Sequence, residues 1–317
     1  MIIALLFIVV GLAVLVKGAD YLVMGSASIA KRFGVSSLVI GLTVVAFGTS
    51  LPELTVSVMA SLKGNSDIAL GNVVGSNTAN ILLILGVTSL LGLIPVARST
   101  VWKEIPFSLL AIVLVGLLGA DVFFGQGNAN VISQADGVVL IFFFILFLYY
   151  IAGISKNEEN TDTGIKKYTN TKSVIMIGGG LAGLMIGGRF FVDGAVQIAQ
   201  ILGMSERVIG LTIVAIGTSM PEFVTSIVAA RKGQNDIAVG NIVGSNIFNI
   251  FWILGLSAII KPVQIAEASF ADIYMCIGAT LLLFLALFIG RKNNLERWQG
   301  ILFVMVYASY LTYLIRG

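Results

Sequence analysis

The chain has 317 residues, 57% of them hydrophobic and only 11% charged, with a mean hydropathy of +1.01 and a formal charge of +3. That composition excludes a soluble globular domain, points to a polytopic membrane protein, and carries no signature of a nucleic-acid partner. Histidine is absent and Cys276 is the single cysteine, so His-based catalysis, His-held metals and an intrachain disulfide are excluded together.

A membrane span needs about 20 apolar residues. By that measure the first half carries segments near 2–30, 36–62, 67–94, 104–122 and 134–154. The second half carries segments near 173–203, 206–230, 236–260, 269–290 and 297–315. The predicted fold is an all-α polytopic membrane protein with about ten transmembrane helices. The first segment lacks the basic start of a signal peptide, since Lys17 follows its apolar run, and it reads as a retained helix. Between the halves, 155–172 is the one markedly polar stretch, a linker too short to fold as a regulatory domain. The chain therefore divides into a first repeat over 1–154, the linker over 155–172 and a second repeat over 173–317.

Placed on these segments, thirteen Lys and Arg residues fall on the linker side of the membrane and four on the other. Such a bias makes the linker side cytoplasmic and puts both termini outside. Five helices per half is an odd number, so the second half enters the membrane from the opposite face. The halves are then inverted copies about a two-fold axis in the membrane plane.

Residues 39–81 recur at 208–250 with 27 of 43 positions identical. The first copy reads GTSLPE over 48–53 and GNVVGSNTAN over 71–80; the second reads GTSMPE over 217–222 and GNIVGSNIFN over 240–249. Pro52 has no N–H and crowds the carbonyl of Gly48, so its helix should bend and free carbonyls around Ala46–Gly48. Pro221 should act likewise around Ala215–Gly217. Thr49, Glu53 and Ser57 share a helix face, with Ser50 one step away, and Thr218, Glu222 and Ser226 repeat the pattern. Asn72, Ser76 and Asn80 form a second polar stripe, echoed by Asn241, Ser245 and Asn249. Gly71, Gly75, Gly240 and Gly244 permit close helix approach.

These segments offer carboxylate, amide, hydroxyl and carbonyl oxygens, a set suited to Ca²⁺, Na⁺, Mg²⁺ or Mn²⁺, with Ca²⁺ favoured because it accepts 6–8 oxygens in flexible geometry. Two carboxylates carry two negative charges, which one divalent ion, two monovalent ions or protons would neutralise. A shared site exposed alternately to each face would then give exchange.

Both motif pairs resemble the α1 and α2 repeats of the sodium/calcium exchangers, within the cation/Ca²⁺ antiporter superfamily, of the prokaryotic type without a regulatory domain. The likeness covers nearly the whole chain. It implies Glu53 and Glu222 as central Ca²⁺ and Na⁺ ligands, with Thr49, Ser50, Thr218 and Ser219 as hydroxyl ligands. Ala46 and Ala215 would give carbonyls, Ser76 and Ser245 would line flanking Na⁺ sites, and Asn80 and Asn249 would complete the centre.

The same resemblance implies a plasma-membrane antiporter, not an enzyme, that extrudes Ca²⁺ on the Na⁺ gradient by alternating access. Three Na⁺ per Ca²⁺ would make it electrogenic. Na⁺ and Ca²⁺ are its substrates, with no cofactor, no nucleic acid and no obligate protein partner. Asn249 stands where several relatives, potassium-dependent exchangers among them, carry an aspartate, so K⁺ independence is expected. The cation/proton branch carries GNxxE-like motifs instead of GTSxPE, which leaves a Ca²⁺/H⁺ antiporter as the alternative.

Other polar residues carry plainer expectations. Lys17 with Asp20, and Arg189 with Asp193, are spaced for intrahelical ion pairs. Asp67 and Asp236 are placed to cap helix starts, with entry-path electrostatics as the other reading. Asn72 and Asn241 serve either as ligands or as bridges between helices. Trp102, Trp252 and Trp298 are candidates for interfacial belts, and Cys276 for a small buried thiol.

Overall fold

Helices make up nearly all of what the computed structural model describes, namely residues 1–125, 129–154, 167–203 and 215–316. The first half contains α1 (Ile2–Phe33), α2 (Ser37–Thr49), α3 (Leu51–Lys63), α4 (Ser66–Leu90), α5 (Thr100–Leu118) and α6 (Gln134–Ile154). The second contains α7 (Asn170–Ile201), α8 (Ala215–Thr218), α9 (Met220–Arg231), α10 (Asn235–Ile260), α11 (Ser269–Ala286) and α12 (Arg297–Arg316). Eight of these are long and apolar enough to cross a membrane, and α2 with α3 makes a ninth span, bent by 49°. The tenth predicted segment, 206–230, is described only from Ala215 onward. Arg207 and most of the linker, 155–166, lie outside the described residues.

Helix ends follow local chemistry. Gly34, at φ 66°, ends α1 with its N–H on Ala30 O, and Gly64, at φ 76°, ends α3. The side chain of Asn65 accepts from Ile68 N and caps α4. Asp67 sits one step inside, in the first turn, so the expected capping role belongs to Asn65. Asp236 likewise sits in the first turn of α10, with Gln234 at the cap position.

The two long first helices cross antiparallel on glycines spaced by seven. A Cβ at Gly11 would lie 2.6 Å from Phe191 N, one at Gly18 2.8 Å from Gly180 O, and one at Gly25 2.9 Å from Ser173 O. One at Gly187 would lie 2.7 Å from Leu15 N, and one at Gly194 2.6 Å from Ala4 O. The backbones touch, as small residues permit in lipid. Gly11 and Gly180 are equivalent repeat positions, as are Gly18 and Gly187. Exchanging the halves therefore maps the contact set onto itself, while the helices run in opposite directions.

Two short strand pairs repeat that symmetry. β1 (Ile94–Pro95) pairs antiparallel with β4 (Asn294–Leu295), and β2 (Val131–Ile132) with β3 (Val263–Gln264). β1 and β2 flank α5, so the pairs close opposite ends of the bundle. Each half supplies one strand to each pair, which clasps the inverted halves together at both faces.

Burial differs among the spans. α4 and α10, which carry the GN motifs, are the most deeply buried spans, while α1, α6 and α12 turn Ile2, Leu6, Phe142, Ile145, Ile301 and Met305 outward as a lipid-facing surface. In each half the fourth span is tied to the fifth by a carboxylate and a tyrosine. Glu104 accepts from the Tyr150 hydroxyl, and Asp272 accepts from Tyr310 at 2.8 Å. A π-helical turn over Thr100–Glu104 adds one residue to the first half and sets Glu104 at the place of Asp272.

Two peripheral expectations change and one holds. Asp20 pairs with Lys232 at 2.6 Å and so links α1 to the end of α9, instead of serving Lys17 on its own helix. Arg189 and Asp193 do form their i,i+4 pair, at 3.9 Å. Trp102 and Trp298 are exposed, but Trp252 is half-buried against Phe144 and Phe248 and belongs to the packing.

Candidate cation site

The site begins with two matched breaks. The chain leaves helical geometry at Ser50 (φ −84°, ψ 9°) and at Ser219 (φ −85°, ψ 7°). Pro52 and Pro221 follow inside the first turn of α3 and α9, where a missing N–H breaks no helical bond. The carbonyl of Ala46 is not freed as expected. It accepts Ser50 N–H at 3.1 Å, with the hydroxyls of Thr49 and Ser245 at 3.3 and 3.4 Å. Ala215 opens α8, and its side chain lies outside the described residues.

Each break carries a serine across to the opposite half. Ser50 Oγ donates to Glu222 Oε1 at 2.8 Å, and Ser219 Oγ donates to Glu53 Oε1 at 3.1 Å. Thr49 joins Ser50 and Ser245 around Glu222, and Thr218 joins Ser219 around Glu53. Ser245 Oγ lies 3.5 Å from Glu222 Oε1. The glutamates, 0% and 1% exposed, sit in the first turns of α3 and α9, where the positive end of the helix dipole faces a carboxylate.

The atoms left over define the chemistry. Among the described residues Glu53 Oε2, Glu222 Oε2, Asn80 Oδ1, Asn249 Oδ1 and Ser76 Oγ are buried with no hydrogen-bond partner. Asn249 lies one helical turn beyond Ser245, which touches Glu222, and Asn80 lies one turn beyond Ser76. Both amides begin π-helical turns, Asn80–Leu85 and Asn249–Leu254. The ion pairs recorded among the described residues leave both glutamates out. No group of three His, Cys, Asp or Glu residues gathers there either. Among the described residues, the two carboxylates are thus buried among neutral oxygens without a protein cation.

Asn72 and Asn241 turn out to be bridges. Asn72 Nδ2 donates to Glu53 O at 3.1 Å and Ser57 Oγ at 2.9 Å. Asn241 Nδ2 does the same for Glu222 O at 3.4 Å and Ser226 Oγ at 3.1 Å, while Thr49 Oγ1 donates to Asn241 Oδ1 at 3.0 Å. Close approach at the GN glycines is visible in the second copy. A Cβ at Gly244 would lie 2.7 Å from Leu42 O, and one at Gly240 3.0 Å from Leu38 O. The equivalent partners of Gly71 and Gly75, near 207–211, lie outside the described residues.

Sequence spacing missed Asn77 and Asn246, which join α4 to α10. Asn77 Nδ2 donates to Asn246 O at 3.0 Å and Asn246 Nδ2 to Asn77 O at 3.3 Å. Identical residues at one repeat offset were the available signal.

Likeness to known proteins extends over nearly the whole chain. The family model described as sodium/calcium exchanger protein matches residues 3–153 and 172–316. The chain belongs to the sodium/calcium exchanger family. This exchanger-family chain is 40% identical to the putative antiporter CaxA of Alkalimonas amylolytica, covering 98% of both chains. It is 36% identical to the sodium/calcium exchanger MaX1 of Methanosarcina acetivorans, covering 98% of this chain and 97% of that one. Its fold matches the sodium-calcium exchanger NCX_Mj soaked with 10 mM Na⁺ and zero Ca²⁺ at a TM-score of 0.84 and 34% identity, over 98% of each chain. The chain is therefore a multi-pass membrane antiporter of the cation/Ca²⁺ type, with two inverted five-helix repeats.

At the β2–β3 end of this exchanger-family fold, Asp67 lines a surface cleft of about 640 Å³ with Lys63, Asn130 and Glu267. The cleft is separate from the buried glutamates.

Proposed function

We propose that the chain exchanges Na⁺ for Ca²⁺ by alternating access, extruding Ca²⁺ on the Na⁺ gradient. The single observation that carries this reading is the set of orphaned acceptors. Both Glu Oε2 atoms and both Asn Oδ1 atoms are buried without a donor among the described residues. A charge at membrane depth costs at least about 2.5–3.5 kcal/mol, so two such carboxylates imply a cation that comes and goes. The ligands in this reading are Glu53, Glu222, Asn80 and Asn249, with the hydroxyls of Thr49, Ser50, Thr218 and Ser219. Ser76 and Ser245 flank the centre and Ala215 supplies a carbonyl, whereas Ala46 O, already facing Ser50 N–H and the Thr49 and Ser245 hydroxyls, is left out of the set. All are oxygen donors, as Ca²⁺ and Na⁺ require.

The neutral amide of Asn249 supports K⁺ independence. One Ca²⁺ balances two carboxylates, and three Na⁺ in return would move net charge. The lysine and arginine bias supports a plasma-membrane orientation with the linker, 155–172, on the cytoplasmic side, between repeats at 1–154 and 173–317. The chain acts as a transporter, with Na⁺ and Ca²⁺ as substrates and no cofactor.

The test is ⁴⁵Ca²⁺ uptake into Na⁺-loaded proteoliposomes, with Na⁺, K⁺ and H⁺ gradients imposed separately. Uptake that follows the Na⁺ gradient at fixed pH is the expected result. Uptake driven by ΔpH alone would replace Na⁺ with H⁺ as the coupling ion.

A further inference from the structure

We propose that Asn77 and Asn246 are positioning residues that hold the side-chain oxygens of Asn80 and Asn249 toward the transported cation. Neither belongs to the ligand set above, and both are buried, at 1% and 2% exposure. The inference rests on the exchange reading only in taking a cation to occupy the space those oxygens face.

Four hydrogen bonds link the two halves in a ring. Asn77 Nδ2 donates to Asn246 O at 3.0 Å, and Asn246 Nδ2 to Asn77 O at 3.3 Å. Asn80 Nδ2 donates to Asn246 Oδ1 at 2.9 Å, and Asn249 Nδ2 to Asn77 Oδ1 at 3.0 Å. Exchanging the halves maps this ring onto itself.

An amide can offer either its oxygen or its NH₂, and the partners decide which. Here the decision starts from the backbone. Asn77 O can only accept, so Asn246 must turn its NH₂ to it and its oxygen to Asn80. Asn80 must then spend its NH₂ on that oxygen, which leaves its own oxygen unpaired. The mirror sequence runs from Asn246 O through Asn77 to Asn249, whose oxygen is also unpaired. Two main-chain carbonyls thus set the polarity of two inner amides. Without that control, a half-turn of either amide would aim N–H donors at a cation.

Groups that orient ligands to a metal typically affect affinity about 10–100-fold when removed. Asn77→Ala frees the Asn249 amide, so the Ca²⁺ KM for Na⁺-driven uptake should rise about ten-fold or more. The maximal rate should fall less. Because Asn77 acts through Asn249, the double variant Asn77→Ala/Asn249→Ala should be no worse than Asn249→Ala alone. A merely structural role would make the two effects multiply. Asn246→Ala with Asn80→Ala forms an independent mirror cycle.

Each cycle is read twice, by flux and by equilibrium ⁴⁵Ca²⁺ binding to the purified detergent-solubilised protein. Wild type that binds Ca²⁺ without Na⁺-driven uptake would sink the exchange reading and leave this one standing. A folded Asn77→Ala whose Ca²⁺ affinity stays within two-fold of wild type, or a cycle that multiplies, would overturn the positioning role. If Asn77→Ala does not fold, Asn77→Ser keeps a hydroxyl too short to serve both Asn246 O and Asn249 Nδ2. It carries the same expected loss and the same reversal.

Discussion

Ser50 and Glu222 sit 2.8 Å apart, although they belong to opposite halves of the chain. The inverse contact, Ser219 to Glu53, spans 3.1 Å. Each carboxylate is therefore held by the break in the other repeat's helix. The two glutamates are coupled through the hinges that carry them, so moving one break relative to the other half disturbs both.

Removing either serine should weaken Ca²⁺ binding without unfolding the protein. A hydrogen bond to a charged group contributes about 1.5–3 kcal/mol, or roughly ten-fold and upward in affinity. Ser50→Ala and Ser219→Ala are each expected to raise the Ca²⁺ KM about ten-fold in proteoliposome uptake. Unchanged KM in both would show that the crossed contacts do not shape the site.

The glycine seam between α1 and α7 predicts a contrast in stability. A Cβ at Gly18 would lie 2.8 Å from Gly180 O and from Leu184 N, both main-chain atoms that cannot yield. Gly18→Val should destabilise the protein by about 1–3 kcal/mol or force the helices apart. Gly178 also lies on α7 but meets nothing within 4 Å, so Gly178→Ala should be neutral or slightly stabilising. Thermal unfolding in detergent compares the two.

Much of this was readable from residue order because polar atoms inside apolar spans have few roles. Glu53, Glu222 and their neighbouring hydroxyls stood out for that reason, and the odd helix count foretold the inverted halves. Asn77 and Asn246 did not stand out. Spacing by four selects Asn72, Ser76 and Asn80, whereas Asn77 points about a quarter turn away and finds its partner 169 residues on. Only the register of α4 against α10 reveals that contact. Gly11, Gly18 and Gly25 were not singled out, because which helix they face depends on the antiparallel crossing. Trp252 illustrates the reverse case, an aromatic with an interfacial composition that packing against Phe144 and Phe248 draws inward.

Potassium provides a third test. Asn249 brings a neutral amide, and its NH₂ is already engaged by Asn77 Oδ1 at 3.0 Å. It offers no extra charge to attract a further monovalent ion. Na⁺-driven Ca²⁺ uptake should keep its rate when choline replaces K⁺ on both sides of the vesicle. A rate that needs K⁺ would contradict K⁺ independence.

The shared cation site is tested most directly by equilibrium ⁴⁵Ca²⁺ binding to purified wild type, Glu53→Gln and Glu222→Gln, each first shown to be monodisperse and folded. Wild type should bind one Ca²⁺ per chain at the centre, and either single substitution should abolish that binding, because one ion needs both halves. Retained high-affinity binding in either variant would contradict a site built jointly by the two glutamates.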